Sequence, residues 1–338
     1  MIARIVCRFW VALAWLWLTG LPAFAECSGM NLADALPSDQ AAALDAAVAA
    51  QPFPQGNFWR AEKDGRRLWM IGTYHYDDPR HAPAMAAVRS LLPQVNRLLV
   101  EAGPEEKRAL MRAMAERPEL LYYTEGASLM QRLSAEEWDA LTTAMKSRNL
   151  PPVMVAKLRP WYVSTLLATP ACQMEGMSAD TGLDAQIIDA AETAGLPITA
   201  LEPYDTIFKL FDQMPEADQL DMIRTTLHLE AQAADHAVTL GDLYFRGEAR
   251  RLWEFTRMMT ATLPGYDTAR ADAEFARMED LLMTRRNRDW IPVLEGAAAE
   301  GDTLAAFGAL HLPGQTGVLN LLAARGWQIE RLDWADTR

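Results

Sequence analysis

An apolar run that stops at Gly-x-x-His occurs twice in this 338-residue chain. Leu68-Trp69-Met70-Ile71-Gly72-Thr73-Tyr74-His75 is matched near the other end by Leu304-Ala305-Ala306-Phe307-Gly308-Ala309-Leu310-His311. Short apolar runs bounded by glycine read as buried strands, and a histidine just beyond such a strand sits at the rim of a sheet. Two runs of this kind in one fold can deliver two imidazoles to one place. The plainer alternative is a pair of strand-to-loop turns whose histidines bond only to their neighbours.

The elements between the two runs favour a sheet of alternating topology. Phe58–Glu62 and Arg67–Ile71 flank Lys63-Asp64-Gly65-Arg66, and Asp-Gly between two such runs signals a hairpin. Arg97–Val100 reads as a buried strand ended by Glu101, Pro197–Leu201 as another ended by Glu202, and Trp327–Leu332 as a closing strand. Helices are expected over Pro83–Leu92, Ala185–Ala194 and Gly314–Arg325, with an earlier one over residues 38–51. Residues 105–170 and 205–299 look helical, and Ser134-Ala135-Glu136-Glu137 has the form of a capping box. The expected fold class is α/β: a mostly parallel or mixed β-sheet flanked by helices, with a large helical insertion.

Four of these strands finish on polar residues, His75, Glu101, Glu202 and His311. Ligands of open parallel sheets bind beyond the carboxyl ends of the strands, so the four can converge. Two imidazoles with one or two carboxylates suit a divalent ion such as Mn²⁺, Co²⁺ or Zn²⁺. Such an ion lowers the pKa of bound water to about 7, which makes it a nucleophile at neutral pH. His81, His228 and His236 have no metal-ligand spacing and are expected to be surface or structural residues. Gly-x-Ser-x-Gly, His-Glu-x-x-His, Cys-x-x-Cys, Walker and Gly-x-Gly-x-x-Gly motifs do not occur, which removes the usual support for the corresponding hydrolase, redox and nucleotide-binding classes.

Residues 1–25 read as a secretory signal: Arg4 and Arg8, an apolar run from Phe9 to Leu18, then Ala23-Phe24-Ala25 as the cleavage site. Residues 26–338 would form one domain, periplasmic or secreted, with no stable membrane span. The formal net charge of −13 becomes −15 without Arg4 and Arg8, which argues against nucleic acid as a partner. Cys27 and Cys172 would remain, and an oxidising compartment favours a disulfide between them.

Taken together, Ile71-Gly72-Thr73-Tyr74-His75, Leu99-Val100-Glu101, Gly182-Leu183-Asp184, Leu201-Glu202, Arg286-Asn287 and Phe307–Gly314 resemble the TraB/PrgY/GumN family, to which the TIKI proteases belong. The exported GumN-like bacterial branch is the most similar. The resemblance implies a core related to the erythromycin-esterase and ChaN-like group, with His75 and His311 as the motif histidines and Glu101 as the motif glutamate. It also implies a polar role for Arg286, whose guanidinium can steady an oxyanion. The resulting expectation is an exported metal-dependent hydrolase, peptidase-like, with His75, Glu101 and Arg286 in catalysis. The metal would be held by His75, His311, Glu101 and Glu202, and the substrate would be a peptide or small molecule. Two alternatives stand beside it: a metal-independent esterase-like hydrolase with a histidine base, and a non-catalytic periplasmic binding or accessory protein.

Overall fold

A computed structural model describes residues 27–174 and 181–336. The expected signal at 1–25 lies outside the described residues. Six strands form one mixed sheet: β1 (Phe58–Lys63), β2 (Arg66–Thr73), β3 (Arg97–Val100), β4 (Ile198–Ala200), β5 (Thr303–Gly308) and β6 (Gln328–Arg331). Their spatial order is β4-β3-β5-β2-β1-β6. β4, β3, β5 and β2 run parallel, while β1 is antiparallel to both β2 and β6. The α/β fold class and the mixed sheet are as the sequence predicts.

The β1–β2 hairpin turns through Asp64 and Gly65 at φ of 51° and 76°, the positive pair that a two-residue turn of type I′ requires. β2 is apolar from Leu68 to Ile71 because both of its faces are covered there. Trp69 and Ile71 join Leu98, Val100, Leu304 and Ala306 beneath the helices Ala82–Leu91 and Leu183–Thr193. Leu68 and Met70 join Leu99, Ala305 and Phe307 on the opposite face, under Trp290, Ile291 and Leu294 of the helix Arg285–Glu300. The period-two alternation of strand side chains thus builds two cores on one three-layer frame.

The segments outside the sheet carry their own apolar clusters. Leu133, Leu141, Met145, Val163, Leu166 and Ile223 tie Ala135–Lys146 and Pro160–Ala168 to Glu216–Leu229. Ser134 caps the first of these: its hydroxyl accepts from the Glu137 amide, and the Glu137 carboxylate accepts from the Ser134 amide. Residues 105–170 are interrupted by short 3₁₀ turns and by an isolated bridge between Tyr122 and Leu158. The expected helix over 269–299 breaks into Thr268–Glu279 and Arg285–Glu300, joined by a π-helical turn at Asp280–Thr284. The expected helix over Gly314–Arg325 begins only at Val318, because residues 312–317 fold into tight turns, with Gly314 at a φ of 99°. Cys27 and Cys172 form the expected disulfide. Among the described residues no helix is long and apolar enough to cross a membrane.

Candidate functional site

Because β2, β3, β4 and β5 are parallel, their carboxyl ends lie along one edge of the sheet, and the residues after them meet there. Two glycines make this approach possible. A Cβ on Gly72 would stand 2.9 Å from Cα of Ala309, so the first motif glycine admits the turn that carries the second histidine. A Cβ on Gly308 would stand 3.1 Å from Oε1 of Glu101, and the Gly308 amide donates to that oxygen at 2.6 Å. Each motif therefore needs its glycine for close packing against another strand end.

Arg286 is the hub. It enters from the first turn of the Arg285–Glu300 helix with its side chain only 14% exposed. Its Nη2 donates to Glu101 Oε2 at 2.6 Å and to Glu202 Oε1 at 2.8 Å, and its Nε donates to Glu202 Oε2 at 2.8 Å. Nη1 donates to the Leu282 carbonyl at 3.1 Å and reaches His311 Nε2 at 3.2 Å. Trp290, one turn further along the helix, lies under the guanidinium with 4.9 Å to the ring centroid. The Trp290 indole N–H also donates to Glu202 Oε2 at 3.1 Å. Both oxygens of Glu202 are thereby engaged in holding Arg286 and Trp290.

His311 is 5% exposed and rests against Trp290, with ring centroids 4.4 Å apart. Its tautomer follows from its neighbours. Asn287 Nδ2 donates to the Thr316 carbonyl, so Asn287 Oδ1, 2.6 Å from His311 Nδ1, must accept. Nδ1 carries the proton and Nε2 keeps a lone pair. Burial pushes the imidazolium down to about 4, with the Glu101 carboxylate opposing that shift. Glu101 is held at about 2: burial raises it, but the charges of His311, Arg286 and His75 and the Gly308 amide outweigh burial. For Glu202 burial wins, and its pKa is raised in spite of Arg286.

His75 differs from its counterpart. Its side chain is 67% exposed, and Nδ1 donates to Asp184 Oδ1 at 3.0 Å. Asp184 stands in the first turn of the helix Leu183–Thr193, whose first amide donates to the Tyr74 carbonyl. A Cβ on Gly182 would fall 2.4 Å from the carbonyl carbon of His75, so this contact also depends on glycine. Asp184 raises His75 to about 9, although solvent around the exposed ring screens the pair.

The four strand-end residues and Arg286 are thus brought together, with His75 at the open side and His311 and Glu101 at the floor. Asp184 and Asn287, the partners that fix the two Nδ1 atoms, were not among the sequence candidates. Their signal lay in the Gly-Leu-Asp and Arg-Asn pairs. His81 is structural: it is buried against Tyr244 and Phe245, and its Nε2 bonds to the Tyr76 carbonyl. His228 is exposed.

The donor set can be tested against a divalent ion. Among the described residues no three of His, Cys, Asp and Glu are gathered closely enough to form a ready cage. Two donors do face one gap: His311 Nε2 and Glu101 Oε1 stand 3.9 Å apart. Two ligands each about 2.1 Å from one tetrahedral ion stand about 3.4 Å apart, so this pair would close by about half an ångström on binding. Both are deprotonated at neutral pH, and each histidine has its Nδ1 anchored, as metal-binding imidazoles do; His311 Nε2 meets Arg286 Nη1, and His75, raised to about 9, must lose a proton before its Nε2 can bind. The donor types suit a divalent ion, with His311 and Glu101 as the pair in place and Arg286 Nη1 sharing His311 Nε2.

A model of the TraB/PrgY/gumN family matches residues 57–331. The chain belongs to the TraB/PrgY/gumN family. The matched stretch runs from just ahead of β1 to the last residue of β6, so it contains the whole sheet and every residue of the site. The chain is similar to the uncharacterized protein YbaP of Escherichia coli K12, at 23% identity over 258 residues. That match covers 76% of this chain and 88% of the relative, and YbaP of Shigella flexneri matches over the same shares. For this TraB/PrgY/gumN member the paired Gly-x-x-His ends, Glu101 and Arg286 therefore lie inside the family region.

Proposed function

We propose that this chain is an exported hydrolase that activates water against an amide or ester carbonyl, with peptides as its substrate class. One observation carries the reading: two imidazoles, each anchored through Nδ1, stand at the ends of parallel strands, and the Nε2 of His311 lies 3.9 Å from the Glu101 carboxylate. A divalent Mn²⁺, Co²⁺ or Zn²⁺ ion held by His75, His311 and Glu101 would supply Lewis acidity and an acidified water. The pKa values support the metal-assisted version over a histidine base. His311, held near 4, and Glu101, held near 2, are weak bases toward free water, whose pKa is about 15.7, but ready ligands, and His75, raised to about 9, still carries its proton at neutral pH.

In this scheme the chain's own groups divide the work. Asp184 and Asn287 set the tautomers and aim the two rings. Glu101 keeps one oxygen toward the gap and receives a proton from the attacking water. Arg286 is a fixed cation held by Glu202 with Trp290, and its Nη1 would turn from His311 Nε2 toward a carbonyl oxygen on which negative charge develops. The Cys27–Cys172 disulfide supports an oxidising compartment.

The test is metal analysis of the mature chain purified without chelator, followed by titration. Stoichiometric binding that disappears in His75→Ala and in His311→Ala is expected. Binding unchanged in both variants sinks the metal site, and turnover that survives full metal removal moves the reading to the metal-free esterase mechanism. Tight ligand capture with no turnover on any peptide or ester would make the chain a binding protein.

A further inference from the structure

A second cavity lies one helical turn from Arg286. It has a volume of about 220 Å³ and is bounded by the helices Glu216–Leu229 and Thr268–Glu279 and by the π-helical turn Asp280–Thr284. Its apolar lining comes from Met214, Met222, Met278 and Leu281. The π turn is the shared wall. Leu281 and Arg285 face the cavity, while the Leu282 carbonyl and Arg286 belong to the site. Arg285 is bonded to Asp280 and to Gln213 Oε1, both of which also line the cavity. π turns insert one residue into a helix and re-aim the side chains after it, and they recur at functional sites.

The lining selects a ligand class. Methionines are flexible and polarisable and adapt to several apolar shapes. A dry cavity of about 150 Å³ already accepts benzene, so this one has room for the side chain of Leu, Met or Phe. The lining also carries Asp218 and Arg277, neither with an ion-pair partner among the described residues, beside Asp221 and Glu274, which Arg270 engages. A carboxylate that accepts and a guanidinium that donates complement the N–H and C=O of a peptide main chain.

Building on the hydrolase reading, we propose that this methionine-lined cavity is the subsite for an unbranched or aromatic apolar side chain of the peptide. The peptide main chain would cross the rim toward Arg286 and His75.

Two readouts on the full mature chain test it. In the first, the ε-methyl groups of the methionines are labelled with ¹³C and the protein is titrated with N-acetyl-leucyl-leucinamide. Shifts confined to Met214, Met222 and Met278, with exposed Met30 and Met111 unmoved, are expected, and Met278→Trp should remove them by filling the cavity. No shift at these three, or equal shifts at Met30 and Met111, overturns the subsite whatever the fate of the hydrolase reading. In the second, cleavage of a peptide library by wild type should favour Leu, Met or Phe at one position by at least tenfold. Met278→Trp should abolish that preference, and Met278→Ala should move it toward larger side chains. Cleavage with no such preference overturns the subsite and leaves the hydrolase intact. Methyl shifts without cleavage do the reverse.

Discussion

Arg286→Ala is the most informative single change to the frame of the site. The guanidinium makes three hydrogen bonds to the carboxylates of Glu101 and Glu202, all at 2.6 to 2.8 Å. The three side chains are 14%, 23% and 15% exposed, so solvent screens them only in part. Removing one partner of a buried ion pair typically costs about 3–5 kcal/mol, because the remaining charge is left without compensation. Partial exposure of Glu101 places the expected loss at the low end, about 3 kcal/mol. In a chain of this size that lowers Tm by about 4–5 °C. Urea denaturation of the oxidised, chelator-treated protein at pH 7.5 measures it. The loss should shrink as pH falls toward 5. With Arg286 gone, the already raised pKa of Glu202 rises further, and a carboxylate raised in the folded state destabilises above that pKa and is relieved by protonation below it. Glu202→Gln in the Arg286→Ala background should recover part of the stability, which a double-mutant cycle quantifies. A loss below about 1 kcal/mol, or one independent of pH, would refute the buried clamp.

Other perturbations read other parts of the structure. In the metal-free protein, His311 is held at about 4 and Glu101 at about 2, so the folded state binds protons less readily than the unfolded chain at both positions. The stability they contribute is complete above about pH 6.5 and is lost as pH falls through 6.5 to 4 for His311 and through 4.5 to 2 for Glu101; in denaturation curves His311→Gln should flatten the upper part of that acid limb. His75 runs the other way, because its proton must leave before Nε2 can bind an ion. Metal affinity measured by calorimetry should rise about tenfold per pH unit below its pKa, and Asp184→Asn should move the plateau to lower pH. Replacing Cys27 and Cys172 by Ala opens a loop with a sequence separation of 145 residues and should cost about 5 kcal/mol on the chain-entropy model, read as a fall in Tm against the oxidised wild type. Gly182→Ala forces a Cβ against the His75 backbone and should cost about 1–3 kcal/mol, with a larger fall in turnover than in stability-matched variants elsewhere.

Much of this frame is legible in the chain because its signals are local and chemically specific. Asp64-Gly65 dictates the hairpin, the apolar runs at 68–71 and 304–307 require coverage on both faces, and Ser134 with Glu137 writes a helix start. Parallel pairing then places His75, Glu101, Glu202 and His311 on one edge without further assumption. What escapes is set by tertiary packing. The order that puts β5 between β3 and β2 depends on which apolar faces meet, and no local motif encodes it. The π turn at Asp280–Thr284 has the composition of ordinary helix, and its extra residue makes sense only once Arg285 and Arg286 are seen facing different cavities. Glu202 looks like another strand-end ligand, yet both of its oxygens go to Arg286 and Trp290, a partnership that spans more than eighty residues.

The central claim is that His75, His311 and Glu101 act together on one water, and cleavage of a broad peptide and ester library tests it most directly. Wild type should cut with Mn²⁺, Co²⁺ or Zn²⁺ present and lose activity on chelation. Glu101→Gln and His75→Gln should each fall by a factor of about 100 or more while remaining folded by circular dichroism. Equal cleavage by wild type and both folded variants, or none by any of them under all three ions, would contradict it.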